Sequence, residues 1–170
     1  EAMNFMTNYW LKYQSISCRL WGKSALYQVS AGIGYRDQLQ DSQIFLVSEP
    51  VYARKQILMH AAQQFVEGDV THWWFTIKNW GPRSNCSDDL LWLPFILDAY
   101  LKETNDLAIL DEEVPFINGP ADTIYEHCKR AIERSFSRFS PRGIPLMGDH
   151  DWNDGLSAEG TLLKGESFWV

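Results

Sequence analysis

Apolar side chains recur along this chain mostly at three- and four-residue spacing, the period of a helix that turns one face to a core. The first such run covers residues 9–29, with Trp10, Tyr13, Ile16, Cys18, Leu20 and Trp21 as its apolar positions. Ser30-Ala31-Gly32-Ile33-Gly34 follows as a turn of small residues. Leu39, Gln43 and Leu46 carry the spacing through a second helix at about 36–47. Pro50 suits the first turn of a third helix, where a missing N–H costs little. Ile57, Leu58, Ala61, Ala62 and Phe65 form the face of that helix, and Gly68 ends it.

Residues 68–85 are rich in Trp, Gly, Asn and Pro and read as a long loop, a feature that in compact domains is often functional. Ser87 is expected to cap a further helix, with Asp88 and Asp89 in its first turn, where carboxylates suit the helix dipole. That helix runs to about Thr104, with a kink at Pro94. Asp122 or Thr123 opens the next one, which reaches about Phe139 before Pro141 and Gly143 break it. Residues 144–164 are loop, and a new element starts near Glu166. With helix following helix, no alternating strand run and no internal repeat, the fold class is all-α.

Composition narrows the function classes. Hydrophobic residues make up 45% of the 170 residues, enough for a core in a single domain. The net charge of −7, with no basic block, excludes a nucleic-acid surface, which needs clustered Lys and Arg. No apolar run is long enough to span a bilayer, so no membrane partner is expected. Cys18, Cys86 and Cys128, an odd number without close spacing, suggest reduced thiols, core fillers and a cytoplasmic setting. Of the eight tryptophans, Trp10, Trp21 and Trp92 are expected in the core. The chain starts without an initiation signature and stops inside an apolar pattern, and is expected to be an internal piece of a longer protein.

The densest polar cluster is Gly148-Asp149-His150-Asp151-Trp152-Asn153-Asp154-Gly155. A carboxyl group beside Trp and other carboxylates can hold a proton near neutral pH and deliver it to a leaving oxygen. The same residues also suit an Asx turn in which the loop caps itself. Arg36 and Asp37 open a helix after a Gly-containing turn, a natural anion site, though the pair equally suits ordinary ion pairing. His72 or His150 with nearby Asp residues would be the metal reading, but no His-Glu-x-x-His and no paired cysteines occur, so no metal site is expected. His60 and His127 read as core histidines. No Gly-x-Ser-x-Gly elbow supports a Ser-His-Asp triad.

These clusters, in this order, resemble family 94 of the glycoside hydrolases, which includes β-glucoside phosphorylases and the phosphorylase-like part of cyclic β-1,2-glucan synthases. The resemblance rests on Tyr9-Trp10-Leu11-Lys12-Tyr13-Gln14, Tyr35-Arg36-Asp37-Gln38-Leu39-Gln40-Asp41 and Gln64-Phe65-Val66-Glu67-Gly68-Asp69-Val70-Thr71-His72-Trp73-Trp74. It continues through Cys86-Ser87-Asp88-Asp89-Leu90-Leu91-Trp92-Leu93-Pro94, Asp151-Trp152-Asn153-Asp154-Gly155 and Gly165-Glu166-Ser167. The chain departs from the family pattern at His150, where Gly is usual, and at Phe75, where His is common.

The resemblance implies an (α/α)6 barrel, of which residues 1–170 would supply roughly the first half, with the flanking domains absent. It implies inverting phosphorolysis of a β-linked glucoside to a sugar 1-phosphate. Asp154 falls on the general acid. Arg36, Asp37 and Trp152 fall on positions lining the sugar subsite or the phosphate beside it. No cofactor is implied, since inorganic phosphate is a co-substrate, and a homodimer is open for a full-length protein. A phosphorylase needs one carboxyl acid because phosphate is already an anionic nucleophile. An inverting hydrolase would need a second carboxylate to activate water, for which Asp37, Asp88 or Asp89 could be tried. A non-catalytic carbohydrate-binding fragment is the remaining alternative.

Overall fold

The computed structural model describes residues 1–21, 32–155 and 164–168. A first helical run alternates α turns, α1 (Ala2–Phe5) and α2 (Leu11–Gln14), with wide π turns at Met6–Trp10 and Ser15–Leu20. It begins earlier than the apolar spacing suggested, and Trp21 leaves helical geometry. The expected continuation to residue 29, and Ser30 and Ala31 of the small-residue turn, lie outside the described residues. Of the six apolar positions expected to face a core, only Leu20 is buried; Trp10, Tyr13 and Trp21 are exposed.

Gly32–Gly34 is not a turn but a short strand, β1. It pairs antiparallel with β2 (Trp73–Phe75), placing Ile33 opposite Trp74. The strand spacing was invisible because three residues are too few to show a period, and the partner lies in the long loop. Helix α3 (Tyr35–Ser42) starts directly from β1, and α4 (Pro50–Ala61) follows with its proline in the first turn. α4 stops at Ala61 rather than at Gly68, and a series of turns leads on to Gly68.

Asp89–Leu91 forms one 3-10 turn and then α5 (Trp92–Thr104). Pro94 therefore sits in the first turn of α5, where its lost N–H has no intrahelical partner, and no kink is needed. Ser87 does not cap this helix: no side-chain cap bond forms there, and its hydroxyl is buried. A small antiparallel ladder, β3 (Glu113–Pro115) with β4 (Ala121–Thr123), leads into α6 (Ile124–Phe136). Thr123 caps α6 as expected, its hydroxyl accepting the Glu126 N–H at 3.2 Å.

The core lies between α3, α4, α5 and α6. Ala53, Ile57 and Ala61 recur every four residues along α4 and are fully buried, so small side chains let its neighbours approach closely. Leu93, Ile96, Leu97 and Tyr100 give α5 the matching stripe. His60 and His127 are core histidines, as read. His60 Nδ1–H donates to the Gln56 carbonyl at 2.7 Å, and His127 Nε2–H donates to the Val114 carbonyl at 2.9 Å. Among the described residues, no helix is long and apolar enough to cross a membrane.

Candidate active site

The β1–β2 ladder fixes where α3 begins. Tyr35 N–H donates to the His72 carbonyl at 3.0 Å, and Gly34 N–H donates to the Gln38 side chain at 2.7 Å. Both bonds satisfy orphan donors at the helix start. Arg36, in the first turn, is thereby turned inward and buried. Its Nη1 donates to both carboxylate oxygens of Asp88, at 3.1 and 3.0 Å, and to the Asp151 carbonyl at 3.2 Å. Its Nη2 donates to the Asp154 carboxylate. Burial works against the charge on Arg36, but the bonds to Asp154 and Asp88 more than offset it and hold the guanidinium cationic.

Asp88 also accepts from the Trp92 indole N–H at 3.0 Å. Burial is the main force raising its carboxyl above the usual range, with the neighbouring Asp89 adding to it. Asp89 is fully buried and accepts from the Ser84 hydroxyl at 2.5 Å and from His72 Nδ1 at 2.7 Å. That bond to Asp89 raises the pKa of His72 despite its partial burial.

The 148–155 loop is stitched to this cluster. Asp149 N–H donates to the Asn85 carbonyl at 3.2 Å, and Ser87 N–H donates to the His150 carbonyl at 3.1 Å. Gly148 has φ +68, and a Cβ there would come within 1.9 Å of the Asn85 carbonyl oxygen. Only glycine fits this close approach. Asp151 is buried and structural. It accepts the Asn153 N–H at 2.9 Å and the Ser167 hydroxyl at 2.7 Å, and Asn153 in turn accepts the Gly155 N–H at 3.0 Å. These are the Asx turns the sequence allowed, and they present Asp154 to Arg36 rather than compete with that role.

Asp154 is mostly exposed, and His150 Nδ1 lies 3.3 Å from the same carboxylate oxygen that Arg36 holds. Trp152 is half exposed on the same loop. Thus Arg36 and Asp154 come together, with Trp152 two positions before Asp154 in sequence. Asp37 goes elsewhere: half-exposed on α3, it pairs with Arg19 of the first helical run at 3.2 Å.

Sequence reasoning treated Cys86 as a core filler, and it is buried, but its surroundings are polar. Its Sγ lies 3.1 Å from His150 Nδ1 and 3.8 Å from His72 Nδ1. These residues are 14 and 64 positions from Cys86, so no local motif announced them. Cys18 is only partly buried, Cys128 is buried, and all three are free thiols.

The whole chain, residues 1–170, matches the model of the glycosyl hydrolase 94 superfamily catalytic domain. Over 188 aligned residues and all of its length it is 43% identical to a cyclic beta-(1,2)-glucan synthase, NdvB, of Rhizobium meliloti, covering 7% of that protein. It is 35% identical to a solabiose phosphorylase of Paenibacillus borealis over 99% of the chain and 21% of the relative. With an N,N'-diacetylchitobiose phosphorylase of Vibrio furnissii it shares 31% identity over all of the chain and 25% of the relative.

Proposed function

Because the chain belongs to the glycosyl hydrolase 94 superfamily, as part of its (α/α)6 catalytic barrel, we propose that it takes part in inverting phosphorolysis of a β-linked glucoside. In this reading Asp154 gives a proton to the glycosidic oxygen while a phosphate oxygen attacks the anomeric carbon from the opposite face. The C–O bond to the leaving sugar breaks, and a sugar 1-phosphate of inverted configuration forms. The observation that carries the reading is the pairing of Asp154 with Arg36. It sets a carboxyl group at the mouth of the site against a buried cation suited to phosphate or to the sugar hydroxyls beside it.

The pairing also describes a resting site. Arg36 must trade Asp154 for the incoming anion before the acid can turn to the glycosidic oxygen. Asp88 stays behind as the second anchor of the guanidinium, so Arg36 keeps its orientation through the exchange. Trp152, exposed on the same loop, offers an apolar face for a sugar ring. Asp37, at the outer side of α3, is proposed to line the sugar subsite after release from Arg19.

A hydrolytic reading is less well supported. An inverting hydrolase needs a second carboxylate able to activate water across the sugar. Asp88 is committed to Arg36 and Trp92, and Asp89 to Ser84 and His72, both buried, while the half-exposed Asp37 pairs with Arg19. The relatives named above include phosphorylases acting on solabiose and diacetylchitobiose and a β-1,2-glucan synthase. Assay of the natural protein that carries this chain should therefore begin with β-1,2-linked glucans and β-linked disaccharides. Product formation is expected to require inorganic phosphate, and Asp154→Asn to lower turnover by about 10²- to 10⁴-fold with sugar binding retained. Equal product without phosphate would replace phosphorolysis by hydrolysis, and normal turnover in the Asn variant would remove Asp154 from the mechanism.

A further inference from the structure

We propose that His72, Cys86 and His150 form a binding site for a thiophilic divalent cation of the zinc type, lying directly against Asp154. One ligand atom from each of the three residues lies within 4.8 Å of the others. Tetrahedral zinc, with Zn–S of about 2.3 Å and Zn–N of about 2.0–2.1 Å, sets N and S ligands about 3.6 Å apart and two nitrogens about 3.4 Å apart. Cys86 Sγ already stands 3.1 Å from His150 Nδ1 and 3.3 Å from His150 Nε2. With His72 Nδ1 held by Asp89, Nε2 of that ring would be its ligand atom, and the His72 and His150 rings lie 5.2 Å apart, centroid to centroid.

The surroundings are those of a metal site with three protein ligands and a carboxylate at the fourth position. Asp89 holds the His72 ring by its Nδ1 at 2.7 Å, the carboxylate–imidazole arrangement that orients metal-bound histidines. Ser84 in turn donates to the same Asp89 oxygen, fixing that carboxylate. Asp154, 3.3 Å from His150 Nδ1, stands where a fourth ligand would be. Two imidazoles and a thiol favour zinc, cadmium or cobalt over magnesium or calcium, which need oxygen ligands. Without a metal, Cys86 is a neutral thiol, because burial and the Asp89 charge work against the thiolate. On binding, the cation takes the thiol sulfur as thiolate and the proton leaves to water.

The metal would not take part in the proposed reaction. It would occupy Asp154 and screen Arg36, and so act as a reversible inhibitor. That consequence rests on the function proposed above; binding itself does not.

Cobalt(II) titration of the natural, metal-stripped protein tests the site without any activity assay. We expect a near-ultraviolet thiolate-to-cobalt charge-transfer band, saturating at one cobalt per chain and abolished by one equivalent of zinc. Cys86→Ser should eliminate the band and weaken zinc binding by at least about 100-fold, beyond the usual cost of losing an outer-shell partner. Cys18→Ser and Cys128→Ser should keep it. His150→Gly serves as a second variant that leaves the buried thiol in place, and it should weaken zinc binding by at least about 10-fold. Absence of the band, its survival in Cys86→Ser, or unchanged zinc affinity in His150→Gly overturns the site. If the site holds but zinc leaves phosphorolysis unaffected, the inhibitory consequence fails while the site stands.

Discussion

Arg36 joins the α3 start, the Asp88 turn and the Asp154 loop, and so carries much of this candidate site. Its planar fork reaches Asp88 with one nitrogen and Asp154 with the other, which a lysine ammonium cannot copy. In the natural protein, Arg36→Ala is expected to raise the phosphate concentration needed for half-maximal rate by at least about 10-fold, and Arg36→Lys to recover little of it. Normal phosphate saturation in the Ala variant would reduce Arg36 to a structural role. Removing it also leaves Asp88 buried without its cation, so folding should be followed by circular dichroism alongside the kinetics. His60 makes a different residue-scale prediction. Burial between Tyr35 and Trp74 lowers its pKa to about 4, from an unfolded value near 6.5. The folded histidine stays neutral while the unfolded one takes up a proton, so stability is full above about pH 6.5 and falls as pH drops toward 4. This contribution is about 3 kcal/mol in all, and His60→Gln should flatten the pH dependence of the unfolding free energy from urea titration over that window by a comparable amount.

At the scale of elements, the proposed function would depend on two short loops held in register, residues 84–88 and 148–155. Gly148 is the tightest point between them, with the Asn85 carbonyl where a side chain would go. Gly148→Ala is expected to cost about 1–3 kcal/mol of stability through its positive φ and the clash. Because the shift moves Asp154 relative to Arg36, kcat should fall by more than the folded fraction does. Equal losses in both would mean that the loop merely contributes stability. α3 and α4 were legible through apolar positions at three- to four-residue spacing, and α5 and α6 through residues that suit a helix start, of which Thr123 does cap α6. The Ser87-Asp88-Asp89 turn was misread as a cap because it has the composition of one, whereas burial beside Arg36 and His72 recruits its carboxylates into the site. Arg36 with Asp154, 118 residues apart, was legible only through a family pattern, since no local period can show such a contact. The Cys86–His150 contact was not legible at all, being set by the same long-range stitching of loops.

At the scale of the whole molecule, the same structure holds a closed core and an open flank. Leu39, Ile57, Leu93 and Ile96 are fully buried among α3, α4 and α5. Along the first helical run, by contrast, Phe5 stacks with Tyr9 and with Trp10, and Trp10 meets Tyr13 at a tilt, all of them exposed. Contiguous apolar surface of this kind marks a contact face, and burying it stabilises by about 25 cal/mol per Å². The chain spans only 7–25% of the relatives named above. Residues 1–170 expressed alone are therefore expected to show no phosphorolysis of cellobiose, laminaribiose or a β-1,2-glucan. They should also associate through the open aromatic flank, giving a concentration-dependent size in sedimentation and strong binding of a hydrophobic dye. Phe5→Ser with Trp10→Ser should reduce both, because these side chains contribute exposed apolar area and none of the buried core. A dye-silent monomer with a sharp thermal transition would show that the core between α3 and α6 is sufficient by itself. Turnover by that monomer would show further that Arg36, Asp154 and their neighbours need no other walls.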